Sequence, residues 1–255
     1  PQMSLDVNDA LSNIPDGNAE FLKSQGGYAD YYSGFGWFGT LENIDNHSMY
    51  KLGMLNSDAL AFRGEYVNVS EIPFNLEEGW NWIGYSPQSS LSLNDALVNI
   101  NEGTTQYIKS QSGFADYYSG FGWFGTLEQM NPFEGFQILA SEASEFTYGE
   151  GRSFSRIHSP QSSQEIFDLN IYDFENNGSL TASVIKDGEI IDSDDYLLAA
   201  FNNGECTGFS ESIEFPLTGN RIFPLMVYGN QDNYDLKLKL FNKLTETYYD
   251  IDEKL

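Results

Sequence analysis

The feature that most constrains this chain is an internal repeat with an offset of 86 residues. Residues 1–63 align with residues 87–149 without a gap, and 29 of those 63 pairs are identical. The block from Asp30 to Glu42 recurs unchanged from Asp116 to Glu128, and five of its thirteen residues are aromatic. Self-similarity at a fixed period is typical of a folding unit that has been copied in tandem. The chain therefore contains two copies of one small unit.

Each copy carries the signals of one short helix followed by strands. Asp6 and Ser92 are candidate helix N-caps, because an aspartate follows each of them three residues later, as in a capping box. Apolar residues then follow at helical spacing, which indicates a helix packed by one face. Short strands are predicted around 20–24 and 106–110, near 50–52 and 136–139, and near 60–62 and 146–148.

A strand signal precedes the second copy but not the first. The segment GWNWIGYS, residues 79–86, reads as a β-strand with Trp80 and Trp82 on one face. The first copy lacks this segment, so we expect it to leave a sheet edge open. Three origins stay open: truncation of a longer polypeptide, proteolysis, or a strand supplied by a neighbouring subunit. In the last case Trp80 and Trp82 are candidate residues of an assembly strand.

The remainder of the chain has a different pattern. A serine-rich linker is predicted over 151–163. Turn signals such as 176–178, 187–188 and 202–204 lie among alternating segments, which predicts an antiparallel β-sandwich. The predicted strands are Ile166–Tyr172, Ser179–Ile185, Tyr196–Phe201, Ile222–Tyr228, Leu236–Phe241 and Tyr248–Ile251.

The expected fold class is mainly β. Two tandem, small, β-rich repeat units with one short helix each are expected over 1–70 and 71–150, the first lacking its first strand. An antiparallel Ig-like β-sandwich is expected over 164–255.

Two strings in this chain resemble modules of known proteins. The string GWNWIGYSPQSSLSLNDAL, followed by YIKSQSGFADYYSGFGWFGTLEQMNPFEGFQI, resembles a repeat of large secreted and surface-attached proteins of marine and Bacteroidetes-type bacteria. The string YLLAAFNNGECTGFSESIEF resembles a β-sandwich module of the same proteins. The resemblance implies an extracellular building block and supplies no catalytic residue. The first copy departs from the pattern at Met49, where the repeat has glycine.

The aromatic block allows two interpretations. Aromatic rings dominate the cores of small β domains, and alternation along a strand leaves some of them outside. The rings left outside are candidates for a platform that binds sugars or peptides, with one tyrosine of each adjacent pair as the better surface candidate. The candidate ligand-binding residues are Tyr31, Tyr32 and Trp37 in the first copy and Tyr117, Tyr118 and Trp123 in the second.

An acidic cluster in the third region allows a second kind of site. Asp192, Asp194 and Asp195 are candidate calcium ligands, because calcium is bound by several oxygens. Their spacing is not that of an EF-hand, so a solvated acidic loop is the alternative. Cys206, the only cysteine, is expected to be a core thiol. The two histidines lie apart and give no metal signature.

The charge of the chain constrains its partners. Thirty-eight acidic and twelve basic residues give a net charge of −26, which disfavours binding to nucleic acid and to anionic membranes. No apolar run is long enough to predict membrane insertion. The sequence predicts a non-catalytic structural or adhesive module at the cell surface. Its expected partners are other copies of itself or neighbouring modules; a carbohydrate-binding accessory region of a larger enzyme or fibre is the alternative.

Overall fold

The computed structural model describes residues 4–61, 68–150, 166–230 and 235–252. Contacts divide the chain into two compact units, Pro1–Ser110 with Ala115–Ser155, and Gln111–Phe114 with Arg156–Leu255. Both copies of the repeat therefore lie in the first of these, which is called the first unit below, and the sandwich lies in the second unit. The linker predicted over 151–163 lies outside the described residues.

The elements of the first copy recur in the same order in the second, which has three further strands. The first copy contains β1 (Leu5–Asp6), α1 (Val7–Ala10), β2 (Ala19–Lys23), β3 (Tyr28–Tyr32), β4 (Gly36–Gly39), β5 (Asn43–Ile44) and β6 (Lys51–Met54). The second contains β7 (Phe74–Leu76), β8 (Gly79–Gly84), β9 (Leu91–Ser92), α2 (Leu93–Ala96), β10 (Thr105–Lys109), β11 (Phe114–Tyr118), β12 (Gly122–Gly125), β13 (Gln129–Met130), β14 (Gly135–Ala140) and β15 (Ser144–Phe146). A 3₁₀ turn, Val69–Glu71, precedes β7.

The main sheet of each copy is antiparallel, and the second has one strand more. The first sheet has the order β4-β3-β2-β6, and the second has the order β12-β11-β10-β14-β8. Small two-stranded sheets, β1-β5 and β9-β13, recur in both copies, whereas β7-β15 occurs among the described residues only in the second. No described strand pairs with the outer edge of β6, which is the edge that the sequence predicts to be open.

The helices are single turns held by the predicted caps. The Asp6 carboxylate accepts hydrogen bonds from the backbone N–H groups of Asn8 and Asp9, and the Ser92 hydroxyl accepts one from Asp95. These bonds satisfy backbone donors that have no partner inside a helix. The apolar side of each turn, Val7 and Ala10 in the first copy, is buried in the core.

An asparagine joins each helix to the aromatic block. Asn94 Oδ1 accepts the Trp123 N–H at 2.8 Å, and its Nδ2 donates to the Trp123 carbonyl at 3.1 Å. Asn8 and Trp37 repeat the pair in the first copy. A Cβ added at Gly122 would collide with Asn94 Oδ1. Glycine before tryptophan is thus required for the close approach of this amide, which is one reason why the block recurs unchanged.

The second unit is a two-layer antiparallel sandwich. Its strands are β16 (Asn176–Ala182), β17 (Ile185–Lys186), β18 (Glu189–Ile190), β19 (Tyr196–Asn202), β20 (Glu205–Glu211), β21 (Ile213–Glu214), β22 (Arg221–Gly229), β23 (Leu236–Asn242) and β24 (Thr247–Asp250). One layer has the order β16-β22-β21 and the other the order β20-β19-β23-β24, while β17 and β18 form a hairpin. The sandwich predicted from the turn spacing is confirmed.

The centre of the sandwich is β19, whose apolar run is buried on both sides. Leu198 and Ala200 face a core shared with Phe223 and Leu225 of the opposite layer. Leu197 and Ala199 face a second cluster that includes Phe167 and Phe241. A strand covered on both faces is expected to read as a continuous apolar run rather than as an alternation.

Three local predictions are wrong. Ile166–Tyr172 is not a strand: Asn170 accepts the Tyr172 N–H and caps a 3₁₀ turn, Ile171–Asp173, while Phe167 covers the sheet. The turn predicted at 176–178 lies inside β16, because these residues pair with the end of β22. Leu60 and Ala61 are not in a strand; the equivalent β15 pairs with β7, a strand for which the described first copy has no counterpart.

Burial of Tyr228 makes the second unit sensitive to alkali. Burial, with a smaller effect of Tyr172, raises the pKa of Tyr228 from 10.0 to about 12. A raised pKa means that this contribution to stability is complete below pH 10 and is lost as the pH rises through about 12. We expect the free energy of unfolding of the second unit to fall across that window, as measured by urea denaturation. Tyr228→Phe should remove part of the fall; an unchanged fall would contradict this assignment.

Candidate functional site: the junction between the copies and the open edge

Strand β8 lies where the two copies meet. Its inward face carries Asn81 and Ile83, which are buried, and its outward face carries Trp80 and Trp82, as the alternation predicts. Lys109 Nζ lies 5.7 Å from the Trp80 ring centroid, and Lys51 Nζ lies 5.3 Å from that of Trp82. Burial, and secondarily the charge of Lys51, lowers the pKa of Lys109. Both tryptophans therefore lie on the outer surface of the junction beside lysines of this chain, and their role in an assembly strand stays a prediction.

The first copy satisfies the free edge of β8. One edge of β8 pairs along its length with β14. On the other edge, Gln25 Nε2 donates to the Trp80 carbonyl at 2.6 Å, and Gln25 Oε1 accepts the Trp82 N–H at 2.8 Å. A glutamine side chain thus takes the place of a strand residue, because its amide offers one donor and one acceptor side by side.

Backbone bonds extend this junction beyond Gln25. The Gly84 N–H donates to the His47 carbonyl at 2.8 Å, and the Met49 N–H donates to the Trp82 carbonyl at 3.2 Å. Met49, which departs from the resembling repeat, packs on Gly135, where a Cβ would collide with it. Met49, where the first copy departs from the repeat pattern, is therefore part of the contact between the copies.

An open cleft of about 410 Å³ lies at the junction. Polar side chains that line it form hydrogen bonds with the backbone. Asp45 Oδ1 accepts the N–H groups of His47 and Ser48, each at 2.9 Å. Asn81 accepts the Glu77 N–H and donates to the Glu77 and Gly79 carbonyls. Asp45 and Asn81 thus fix the two walls of the cleft, and Gln25 joins the copies across the junction.

The role of Gln25 can be tested by removing its side-chain amide. Gln25→Ala leaves a donor and an acceptor of β8 to solvent, and we expect it to lower the stability of the first unit by about 1–2 kcal/mol. Hydrogen exchange at the Trp82 amide should accelerate more than exchange in β10. Gln88→Ala, at an exposed position between β8 and β9, is the matched control and should change neither quantity. Equal effects of the two variants would contradict the assignment.

The structure divides the candidate ligand-binding aromatics into two groups. Trp37 and Trp123 are buried, and Tyr31 and Tyr117 pack against the same cores, with ring centroids 5.2 Å and 5.3 Å from their tryptophans. The expectation that the tryptophans form a stacking surface is corrected accordingly: the strand pairing Tyr31↔Trp37 places both side chains on the inner face.

The outer face of the first copy keeps an aromatic patch. It consists of Tyr32, Phe35 and Phe38, all exposed. Tyr32 and Phe38 lie on the two strands of one hairpin with their ring centroids 6.0 Å apart, edge to face. In the second copy Tyr118 and Phe124 are half-buried. The patch of the first copy is therefore the surface on which a ligand could stack.

The acidic cluster is engaged by an arginine. Arg221 Nε lies 3.3 Å from the Asp192 carboxylate, and Arg221 Nη1 forms an ion pair with Asp194. Asp195 Oδ2 accepts the Ser193 hydroxyl at 2.8 Å. Within the described ranges, no group of three or more acidic, histidine or cysteine side chains is placed to hold a metal ion. The calcium site at Asp192, Asp194 and Asp195 stays a prediction, and binding there requires release of Arg221.

Cys206 is half-buried and packs beside the Phe167 cluster, with Sγ 3.5 Å from the Gly208 carbonyl oxygen. Burial raises the pKa of its thiol, so the reactive thiolate is disfavoured at neutral pH.

Sequence reasoning missed the acidic clamp on each aromatic hairpin. Asp16 accepts hydrogen bonds from Tyr31 Oη at 2.7 Å, Ser33 Oγ and the Gly34 N–H. These bonds, that of Tyr31 first, lower the pKa of Asp16. Glu102 stands at the equivalent position and accepts bonds from Ser119 and Gly120. The signal was an acidic residue kept at the same repeat position in both copies, Asp16 and Glu102.

Comparison of the chain with protein-family models, with curated proteins and with solved structures gives no match. In the described parts of the chain, the helices are too short and too polar to cross a membrane.

Proposed function

We propose that this chain is a non-catalytic structural and adhesive module of an extracellular surface protein or appendage, built to be joined in series. The observation that carries the proposal is the junction between the copies. The hydrogen-bonding groups of β8 on one side are taken by β14 and on the other by the first copy. The first copy thus covers the edge of the second, which is the contact expected of units that assemble as an array.

The charge and the resemblance of the repeat strings support the same proposal. A net charge of −26 keeps a surface soluble and repels nucleic acid and anionic lipid. Other copies of the chain, or neighbouring modules, are the proposed partners.

The test combines location with self-association. Immunolabelling of intact source cells with antibodies against the first unit should mark their surface. Analytical ultracentrifugation and negative-stain imaging of native material should show association. A strictly monomeric protein that is absent from the cell surface would overturn the proposal. Turnover of a substrate that persists through extensive purification, and disappears on substitution of one residue, would overturn its non-catalytic part.

A second candidate function is carbohydrate binding at the outer aromatic patch. The observation that favours it is the exposure of Tyr32, Phe35 and Phe38 on one hairpin, since aromatic faces stack on the apolar faces of sugar rings. A glycan array followed by calorimetry, with and without calcium, tests it. Tyr32→Ala should abolish binding, whereas Phe133→Ala, at another exposed ring, should not. Absence of any glycan signal would reject this candidate.

A further inference from the structure

The described basic side chains of the first unit lie on the outer faces of its two main sheets. Residues 1–155 contain five basic and twenty acidic residues. Of the five, the described ranges include Lys23 on β2, Lys51 on β6 and Lys109 on β10. On each of these strands the neighbouring apolar residue packs in a core, so alternation turns the lysine outward. These neighbours are Leu22, Leu52 and Ile108.

Lys51 lies close to both of the other lysines. It stands directly opposite Lys23 on the neighbouring antiparallel strand. Its charge also contributes to lowering the pKa of Lys109, after the larger effect of burial. Like charges directly opposite each other on a sheet are destabilising, and the second copy has Gln137 at the position of Lys51. The first copy therefore keeps a repulsive pair that the second copy avoids.

Aromatic rings position two of these ammonium groups. Lys23 Nζ lies 4.5 Å from the ring centroid of Phe21, and Lys51 Nζ lies 5.3 Å from that of Trp82. A cation over an aromatic ring is attracted by the ring face. The rings therefore help to hold both ammonium groups on the outer face of the sheet.

Exposed aromatic side chains lie beside the lysines on the first sheet. Tyr28 stands opposite Lys23 and is 50% exposed. Tyr32 and Phe38, the edge-to-face pair of the outer aromatic patch, lie on the same face of β3 and β4. Asp30, opposite Phe38, adds a carboxylate that can accept a hydroxyl. This face therefore combines apolar rings with groups of both charges.

We propose that the lysine–aromatic face, formed by Lys23, Lys51, Tyr28, Tyr32 and Phe38, binds an acidic oligosaccharide, a short chain of sugar rings that carry carboxylates. The apolar faces of the sugar rings stack on the aromatic side chains. Carboxylates of successive rings accept charge-assisted hydrogen bonds from Lys23 and Lys51, which are one strand spacing apart. A bound carboxylate also removes part of the repulsion between the two lysines. The inference rests on the carbohydrate-binding candidate above and adds the charge of the sugar.

The net charge of the chain limits the length of such a ligand. A long polyanion extends beyond the lysines and meets the acidic remainder of the surface, which repels it. Screening confines this repulsion to about 8–10 Å at physiological salt. An oligosaccharide of a few rings therefore stays within reach of the lysines, whereas nucleic acid does not.

Matched oligosaccharides test the charge of the ligand. Calorimetry on the full chain compares oligomers of a hexuronic acid with the same oligomers after reduction of each carboxyl group to a hydroxymethyl group. We expect the acidic oligomers to bind at least about tenfold more tightly, because only they pair with ammonium groups. Added salt should reduce this advantage, since exposed ion pairs are screened.

Substitution of Lys51 tests the site. Lys51→Gln introduces the side chain that the second copy carries at the equivalent position. It should weaken binding of the acidic oligomers about tenfold and leave binding of the neutral ones unchanged. Lys237→Gln changes the net charge equally at an exposed position of the second unit and is the matched control. It should change neither affinity.

Three results would overturn the inference. These are equal affinity for acidic and neutral oligomers, unchanged binding of acidic oligomers by Lys51→Gln, and equal weakening by Lys51→Gln and Lys237→Gln. In the first case, binding of neutral oligomers leaves the carbohydrate-binding candidate intact. Absence of any sugar binding overturns that candidate and the inference together. The structural and adhesive proposal is read separately, from surface location and association of the native material.

Discussion

Replacing Gly122 with alanine should lower the free energy of unfolding of the first unit by roughly 3–5 kcal/mol. Gly122 has a φ of +87°, in the left-handed region that disfavours a side chain. In addition, its Cβ would collide with Asn94 Oδ1, which accepts the Trp123 N–H. The substitution therefore combines backbone strain with the loss of the bonds that join α2 to β12. Urea denaturation followed by tryptophan fluorescence measures the change.

Gly120 provides the matched control within the same turn. Its φ is +78°, and a Cβ added there has no heavy atom within 4 Å. Gly120→Ala should therefore cost only about 1–2 kcal/mol, the strain alone. If the two variants were equally stable, the close approach of Asn94 would not be the reason for the glycine.

The second large effect is a difference in lost stability between alanine substitutions at equivalent positions of the two copies. Ile138→Ala, in β14, should destabilise the first unit by roughly 3–4 kcal/mol, because the Ile138 side chain is fully buried in the core of the second copy. Leu52→Ala, at the equivalent position in β6, should cost about 1–2 kcal/mol, because Leu52 is only partly buried. Chemical denaturation of both variants under the same conditions gives the difference. Equal costs for the two substitutions would contradict this comparison of the two positions.

Much of the fold follows from short-range patterns in the sequence. The caps at Asp6 and Ser92 were predictable, because a side chain that binds the first N–H groups of a helix acts over three residues. The sandwich strands near Tyr196 and Ile222 were predictable from length, branching and flanking turns. The open edge of the first copy was predictable for a different reason: the repeat itself shows what a complete unit contains.

Features that depend on distant partners were not predictable. Asn176 and Asn177 read as a turn, but pairing with β22 places them in a strand. The residues around Gln25 give no sign of its role, yet its side chain bonds to a strand more than fifty residues away. The buried state of Trp37 depends on which face of β4 meets the helix, which alternation alone does not decide. Tertiary contacts outweighed local preference at each of these positions.

The way in which Gln25 and the 47–49 backbone close β8 has a consequence for longer arrays. The β8 edge, whose backbone groups could otherwise pair with another polypeptide, is occupied by the copy that precedes it. If further copies followed with the same junction, each would have its β8 edge covered in the same way, so elongation would add no exposed β8 edge.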